Sequence, residues 1–238
     1  MNPWGRVDVM VAPELSDKLL EVHHRLIADY GDRPHRPRLA PVDELVCTIL
    51  SQNTNDVNRD VAFDRLRARF PDWVAARDAS AAQVEEAIRP AGLARQKAPA
   101  IQRALQAITR ECGEISLDFL EELPLAEARA WLTSIKGVGP KTAAIVLLFA
   151  FDRPAFPVDT HVHRVSRRLG LIGPKVSRER AHGVLEELAP PETFYTLHLN
   201  LITHGRLVCQ ARQPRCESCA LQDLCDYFVA TRSHALER

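Results

Sequence analysis

Four of the chain's six cysteines lie together near its C-terminus, and they restrict what that end of the chain can fold into. Cys209, Cys216, Cys219 and Cys225 are spaced C-x6-C-x2-C-x5-C. The residues between them are polar and interrupted by Pro214, so this segment has too few apolar side chains to fold by burial alone. In a cytosolic chain, close cysteines indicate metal thiolates rather than disulfides. A metal centre would close the loop and supply folding free energy.

The spacing leaves two kinds of metal centre open. Zinc sites usually contain two tight C-x2-4-C pairs, and this chain has one, Cys216 with Cys219. A four-thiolate iron–sulfur cluster accepts wider and less regular spacing. The pattern therefore favours iron–sulfur, with zinc as the alternative. The other two cysteines, Cys47 and Cys112, lie inside apolar helical patterns and are interpreted as small core residues.

The composition excludes several classes of protein. The 238 residues are 46% apolar, and 31 Lys and Arg are matched by 31 Asp and Glu, which excludes disorder for most of the chain. The longest apolar run, from Ala143 to Phe151, is too short for a membrane span. The N-terminal residues lack the apolar core of a secretion signal. We therefore expect a cytoplasmic protein without a membrane partner.

Helical periodicity recurs along the chain, whereas period-two alternation never extends beyond a few positions. Between Ala98 and Ile108, apolar residues recur at three- and four-residue steps. Ser80 and Gln83 have the spacing of a capping box before a short helix, and an N-terminal helix is predicted to end at Gly31. Further helices are predicted at 42–51, 56–69, 125–135, 140–151, 160–169, 177–188 and 192–204, the last closed by Gly205. The pattern predicts an all-α fold of about ten helices.

Charge is distributed unevenly, although the net charge is zero. The segment from Glu111 to Ala128 contains six acidic residues and no basic one, whereas Thr160 to Arg180 contains six basic residues against Glu179 alone. One face that repels polyanions and another that attracts them would account for this asymmetry. Ordinary solvated helix faces account for it equally well, so charge alone does not identify a nucleic-acid-binding protein.

A glycine-containing turn joins two of the predicted helices. The first helix ends near Ile135, Gly137 and Gly139 allow a tight turn with positive φ, and Pro140 suits the first position of the next helix. The turn would expose backbone N–H groups at a helix N-terminus, where they bind a phosphate without reading sequence. Taken alone, the Gly-x-Gly pattern is more often a plain corner between helices.

Asp159 immediately precedes the helix predicted at 160–169. Its simplest role is an N-cap that accepts hydrogen bonds from the amides of the first turn. A chemical role needs a partner, and Lys141 is the candidate, because one apolar helix and one loop join the two residues. The sequence does not show whether their side chains meet.

These three elements together resemble the endonuclease III family of helix-hairpin-helix DNA glycosylases. The turn at Gly137–Lys141, the segment Val158–His161 and the cysteine-containing tail occur in the order and spacing of that family, over about Pro41 to Tyr227. The resemblance implies a bilobal all-α fold. A six-helix barrel containing the helix-hairpin-helix would occupy 35–153, and 1–34 with 154–238 would form an iron–sulfur lobe that holds a [4Fe-4S] cluster.

The same resemblance implies a reaction. A monomer associated with the nucleoid would bind double-stranded DNA that contains a damaged base or an abasic site, and would flip the nucleotide out of the duplex. Asp159 would stabilise positive character at the sugar. A neutral Lys141 amine would attack C1′ and displace the base, and β-elimination would then cut the strand. Burial near the positive end of a helix dipole would lower the lysine pKa as this attack requires. Oxidised pyrimidines are the expected substrates.

The resemblance also assigns residues to the DNA interface. The assigned contacts, which include two wedges that fill the gap left by the flipped nucleotide, are Gln52, Asn53, Thr54, Leu93, Gly137, Val138, Gly139, His161 and Arg164. Asn53 stands where the family usually has Gln, and Ala94 replaces a bulkier residue. The loop at 51–56 and much of 115–170 look closer to plant Demeter-type 5-methylcytosine glycosylases, so the preferred lesion stays open.

Three other functions stay open on the sequence. A mismatch glycosylase would release thymine or uracil without cutting the strand, and relatives of that kind tend to lack the lysine at the Lys141 position. Adenine glycosylases add a C-terminal recognition domain, whereas thirteen residues follow Cys225. A non-catalytic DNA-binding module would use the glycine turn and the cysteines without needing Lys141 and Asp159 for chemistry.

Overall fold

The computed structural model describes residues 13–36 and 39–236, and every regular element within these ranges is helical. The α-helices are α1 (Pro13–Tyr30), α2 (Pro41–Ser51), α3 (Asp56–Arg69), α4 (Trp73–Asp78), α5 (Ala81–Ala87), α6 (Ala94–Cys112), α7 (Leu125–Ser134), α8 (Pro140–Phe151), α9 (Thr160–Arg168), α10 (Arg178–Leu188), α11 (Phe194–Leu207) and α12 (Asp226–Leu236). Short 3-10 helices lie at Arg89–Ala91, Asp118–Leu120, Pro191–Thr193, Cys216–Ser218 and Gln222–Leu224. The all-α prediction is confirmed. The first twelve residues, where no secretion signal is expected, lie outside the described ranges.

The described residues divide into two compact units. The first unit, residues 39–153, is one continuous stretch that contains α2 to α8. Its centre is α2, which begins with Pro41 in its first turn and has eight of its eleven residues buried. The buried run from Leu45 to Leu50, apolar except for Thr48, packs against α3, α6 and α8. This continuous burial explains why α2 has apolar residues on almost all sides rather than one apolar stripe.

The second unit, residues 13–36 with 154–236, contains α1 and α9 to α12. Its central helix is α11, which packs against α1 and α9. Phe156 and Phe194 form an edge-to-face pair in the core, with ring centroids 5.2 Å apart. The buried amide of Asn200 donates a hydrogen bond of 3.0 Å to the Gly31 carbonyl oxygen, which fixes the C-terminal end of α1 against α11. Among the described residues, no helix is both long and apolar enough to cross a membrane.

The prediction that Gly205 closes α11 is wrong, because α11 continues to Leu207. Gly205 is buried inside the helix, and a Cβ atom there would lie 2.9 Å from the Cβ of His161 on α9. The glycine is therefore required for the close approach of two helices and not for a turn. Sequence patterns around a single helix do not distinguish these two uses of glycine.

Three other local predictions also need correction. The predicted helices do not include α4 and α12, which are short or have weak apolar periodicity. Gly139 has a φ of −96° and not the positive value expected, because it is the extended N-cap of α8. Cys47 is buried as predicted, but Cys112 is only half-buried at the last position of α6, where its thiol donates to the Ser116 carbonyl oxygen.

Candidate functional site

The turn between α7 and α8 presents backbone donors at the start of a twelve-residue helix. Gly137 has a φ of +105°, and a Cβ there would lie 3.0 Å from the Cβ of Ala100, so both conformation and space require glycine. The Val138 amide donates to the Ile135 carbonyl oxygen, whereas the amides of Gly137 and Gly139 have no acceptor among the described residues. Two open amides at a helix N-terminus form a favourable position for an anion such as a phosphate.

Lys141 is the second residue of α8, directly after Pro140. Its side chain is half-buried beside the glycine turn, on the first turn of the helix. Lys141 and the two open amides therefore belong to the same corner of the first unit.

Asp159 lies in the second unit, where it is the N-cap of α9. Its Oδ1 atom accepts hydrogen bonds from the amides of His161 and Val162, at 2.8 Å and 2.7 Å. The N-cap role predicted from the sequence is therefore present. Because both bonds use one oxygen, the cap fixes the orientation of the carboxylate and leaves Oδ2 without a hydrogen bond from the described residues.

The loop after α2 contains the first group of predicted DNA contacts. Gln52 donates from Nε2 to the Gly137 carbonyl oxygen at 3.2 Å, which connects this loop to the glycine turn. Asn53 has a φ of +52°, a left-handed conformation. Thr54 donates from its hydroxyl to the Ala91 carbonyl oxygen, which belongs to a second loop. The two loops are thus hydrogen-bonded to each other.

That second loop, at Gly92–Leu93, contains the other predicted wedge. Leu93 has φ 50° and ψ 32°, and the residue is 47% exposed. A left-handed conformation at a residue other than glycine costs about 1–3 kcal/mol and persists only where surrounding contacts impose it. In the described chain, only Asn53, Leu93 and Asp152 have positive φ without being glycine. Two of these three residues are therefore at the predicted wedges.

A buried lysine that sequence analysis did not single out lies between these two loops. Lys97 in α6 is 3% exposed, and its Nζ donates to the Leu50 carbonyl oxygen, the Thr54 hydroxyl and the Ala91 carbonyl oxygen at 2.7, 2.7 and 2.8 Å. Burial lowers the pKa of Lys97 to about 8. The sequence did contain one indication that Lys97 is buried. Lys97 precedes Ile101 by four residues, so it lies on the apolar face of α6 although it is a cation.

The predicted DNA contacts His161 and Arg164 both lie on α9. Arg164 donates to the carbonyl oxygens of Cys209 and Gly205 at 3.0 Å and 2.8 Å, and lies 3.1 Å from Nδ1 of His161. These bonds join α9 to the end of α11 and to the first of the four clustered cysteines. Arg164 therefore has an internal structural role in the second unit.

All four clustered cysteines line one pocket of the second unit. The pocket is partly open to solvent, and His204, Arg168 and Tyr227 also contribute to its walls. Arg168 donates to the sulfur of Cys209 at 3.3 Å, and Nε2 of His204 lies 3.6 Å from the sulfur of Cys219. Burial and the neighbouring cysteines raise the pKa of Cys219 to about 11. Because a raised pKa keeps the thiol protonated, a thiolate forms in this pocket only when a cation such as a metal ion lies beside it.

The donor types can be tested against a metal centre. Among the described residues, no three His, Cys, Asp or Glu side chains stand close enough together to ligate a single metal ion. The four cysteines nevertheless line one pocket. Four thiolates are a donor set that both zinc and iron–sulfur centres use, so these residues fit a thiolate-bound metal centre.

Comparison with known proteins places these features in a wider group. Residues 46–191 match the HhH-GPD superfamily of base excision DNA repair proteins. The chain is 35% identical over 189 residues to endonuclease III from Sulfolobus acidocaldarius, a match that covers 78% of this chain and 81% of that protein. It is also 32% identical over 181 residues to DEMETER from Arabidopsis thaliana, which covers 69% of this chain.

The chain does not span all of its relatives. The match covers 9% of DEMETER and 57% of another Arabidopsis thaliana relative that is 38% identical. Among solved structures, a non-covalent endonuclease III–DNA complex superposes with a TM-score of 0.78 at 29% sequence identity, covering 92% of this chain and 98% of that chain. The similarity to the endonuclease III proteins therefore extends over most of both molecules.

Proposed function

The chain belongs to the HhH-GPD superfamily of base excision DNA repair proteins, and we propose that it is a bifunctional DNA glycosylase and AP lyase that removes oxidised pyrimidines from duplex DNA. The observation that carries this proposal is the corner at the start of α8. Two open amides at Gly137 and Gly139 are followed there by the amine of Lys141. Backbone amides that bind a phosphate would hold the DNA without reading its sequence, as a repair enzyme requires.

Base release begins with extrusion of the nucleotide, which costs a few kcal/mol and less for a damaged base. The Lys141 amine forms a bond to C1′ while the electron pair of the glycosidic bond leaves with the base, which takes up a proton. The Asp159 carboxylate, held in orientation by its two amide donors, stabilises positive character at the sugar during this step. The C1′–O4′ bond then breaks as the remaining N–H proton of the attached amine passes to O4′, which opens the sugar to a Schiff base. Loss of a C2′ proton from this Schiff base expels the 3′ phosphate and cuts the strand.

Borohydride trapping tests the role of Lys141, because reduction of the Schiff base joins the protein permanently to DNA. We expect Lys141→Gln to abolish both trapping and cleavage of a duplex with one abasic site. Lys136→Gln is the matched control, since Lys136 is an exposed lysine in the same turn. The control should still form the trapped complex. Trapping that persists in Lys141→Gln would assign the nucleophile to another residue.

We propose that Cys209, Cys216, Cys219 and Cys225 hold a [4Fe-4S] cluster. When bound, this group would fold the loop between the cysteines and keep four thiolates together in a pocket that otherwise raises the pKa of Cys219. Zinc is the alternative. Metal analysis together with absorbance near 400 nm distinguishes them, because a [4Fe-4S] cluster absorbs there and bleaches on oxidation or reduction, whereas zinc is colourless.

The preferred lesion and the setting of the reaction are also proposals. The similarity to both endonuclease III and DEMETER motivates a panel of duplexes that contain thymine glycol, dihydrouracil, uracil, a G·T mismatch or 5-methylcytosine, scored for base release with and without alkali. Release of thymine glycol and dihydrouracil with strand cleavage supports the proposal. Release of only uracil or mismatched thymine without cleavage would indicate a mismatch glycosylase. We propose that the protein acts as a monomer on cytoplasmic, nucleoid DNA.

A further inference from the structure

Lys97 combines full burial with complete hydrogen bonding. Its ammonium group has three N–H donors, and each has an acceptor at 2.7 or 2.8 Å within the first unit. An isolated buried cation is unfavourable, and an apolar side chain would fill the same space without needing partners. A lysine at this position therefore calls for an explanation beyond packing.

The three acceptors all lie in or next to the two loops that contain the predicted wedges. Leu50 lies at the end of α2, just before the loop that contains Asn53, and Thr54 lies within that loop. Ala91 directly precedes Gly92 and Leu93. Lys97 thus binds the base of both predicted wedges with one ammonium group. The Thr54 hydroxyl also donates to the Ala91 carbonyl oxygen, so Lys97, Thr54 and Ala91 form a closed hydrogen-bond network.

The backbone of each loop is left-handed at one residue. Asn adopts this conformation readily, as at Asn53, whereas a bulky residue such as Leu93 avoids it, so the Leu93 loop has the greater need of support. Leu93 is also nearly half exposed, although it is apolar. Conformations of this kind persist where neighbouring contacts determine them. The network at Lys97 supplies these contacts from the buried side, while Leu93 remains accessible to a ligand.

We propose that Lys97 is a positioning residue that holds the Asn53 and Leu93 loops in register as one preformed wedge, which enters the DNA duplex where the damaged nucleotide leaves it. This inference rests on the proposed glycosylase function. The wedge replaces stacking and pairing that the flipped nucleotide loses, so its effect requires a partner strand. Without the network, binding to DNA must also supply the free energy that orders both loops. The two loops then adopt the wedge arrangement less often in the bound complex.

Because the wedge acts only when a partner strand is present, the ratio of the rates on duplex and single-stranded DNA reports on the wedge. A residue that only stabilised the fold would change both rates alike. The variant Lys97→Met keeps an unbranched side chain, one atom shorter than lysine, and removes all three donors. We expect its single-turnover rate of base release to fall about tenfold or more on duplex DNA and by less than about twofold on the same oligonucleotide as a single strand. Lys18→Met in the second unit is the matched control, because it also removes a hydrogen-bonded ammonium group, paired with Asp226 at 2.8 Å, but lies outside both loops. It should leave both rates unchanged.

A second variant keeps the test decisive if Lys97→Met does not fold. Thr54→Val removes only the hydroxyl that accepts from Lys97 and donates to the Ala91 carbonyl oxygen. The hydrogen bonds from Lys97 to the carbonyl oxygens of Leu50 and Ala91 stay in place. We expect a smaller loss, about threefold to tenfold, again confined to duplex DNA. Equal losses on duplex and single strand, or no loss on either, would overturn the proposal for whichever variant folds.

Failure of the proposed function gives a different result. If the wild-type protein neither releases a damaged base nor cleaves at an abasic site, the glycosylase assignment is wrong, whatever the Lys97 variants do. If the wild type is active and Lys141-dependent but Lys97→Met and Thr54→Val retain the wild-type ratio of duplex to single-strand rates, only the inference about Lys97 is wrong.

Discussion

Asp159 combines a structural cap with a proposed chemical role, and two substitutions separate them. Asp159→Asn keeps a side-chain oxygen that accepts from the amides of His161 and Val162, whereas Asp159→Ala removes it. We expect Asp159→Ala to lower the free energy of unfolding by about 1 kcal/mol and Asp159→Asn to lower it by less. Both should reduce base release about a hundredfold or more, because neither carries a negative charge.

Urea unfolding and single-turnover kinetics on the same preparations measure these two effects. The informative case is Asp159→Asn, since it tests charge while the cap is retained. Base release by Asp159→Asn at the wild-type rate would restrict Asp159 to the cap of α9. A loss of activity in proportion to a loss of stability would lead to the same conclusion.

Lys97 should make stability depend on pH in a defined direction. Burial lowers its pKa from 10.5 to about 8, so between these values the unfolded chain binds the proton that the folded chain has released. The free energy of unfolding of the wild type, relative to Lys97→Met, should therefore rise from pH 8 to pH 10.5. The gain is at most about 3 kcal/mol, and the three acceptors at Nζ reduce it because they favour the ammonium form.

Denaturant unfolding of both proteins at several pH values measures this difference, and other titrating groups cancel in the comparison. A difference that stays constant from pH 8 to pH 10.5 would mean that Lys97 keeps its ordinary pKa. A difference that falls with pH would contradict the sign derived from burial. Below pH 8 the expected difference is nearly constant, since Lys97 is then protonated in both states.

The contrast between Asp159 and Lys97 shows which site residues a sequence reveals. The cap at Asp159 depends on the residues that follow it, so local pattern was sufficient to predict it. The partners of Lys97 come from two other segments, at Leu50–Thr54 and Ala91. Only the tertiary arrangement brings these groups together. Because buried lysines are rare, sequence alone predicts that Lys97 is exposed.

At the scale of elements, two helical glycines offer a matched comparison. A Cβ on Gly205 would lie 2.9 Å from the Cβ of His161, which cannot swing away as the end of a long side chain would. We expect Gly205→Ala to lower the free energy of unfolding by about 1–3 kcal/mol. Gly183 in α10 has open space around it, so Gly183→Ala should raise the free energy of unfolding by up to about 1 kcal/mol.

Thermal or urea unfolding of both variants tests this account of α9 and α11. The displacement caused by Gly205→Ala should also disturb Arg164, whose guanidinium donates to the Gly205 carbonyl oxygen. If Gly205→Ala is as stable as Gly183→Ala, the two helices have room to separate. In that case the glycine is not needed for their packing.

Helix boundaries followed the sequence where capping and periodicity agreed. The predicted bounds of α3 and α8 match the structure, and the capping box at Ser80 and Gln83 is present. Boundaries failed where a residue type has two uses, as Gly205 does, or where a helix is short, as α4 is. The periodicity of six residues is too brief to distinguish a helix from a turn.

At the scale of the whole molecule, the cysteine pocket is held by parts of the chain that are distant in sequence. Arg25 on α1 forms a bidentate ion pair with Asp223, with distances of 2.5 and 2.9 Å, and also donates to the Ala220 carbonyl oxygen at 3.0 Å. The thiol of Cys225 donates to the Arg168 carbonyl oxygen at the end of α9. Three separate segments of the second unit therefore meet at this pocket.

This arrangement predicts where the molecule loses order when the proposed cluster cannot assemble. Cys216→Ser removes one of the four thiols, so the loop between the cysteines loses the free energy that metal binding supplies. We expect hydrogen exchange of amides in this loop and in α12 to become about tenfold faster or more. Amides of α2 and α8 should keep their wild-type rates, because the first unit has a separate core.

Hydrogen exchange followed by mass spectrometry on the intact chain measures both regions at once. Cys112→Ser is the matched control, because this cysteine lies in the first unit and outside the pocket. It should leave the exchange of the cysteine loop unchanged. Unchanged exchange in Cys216→Ser would show that side-chain contacts such as those of Arg25 are sufficient to fold the loop. Acceleration throughout α2 and α8 as well would show that the two units unfold as one cooperative body, since loss of the metal in one would then open both.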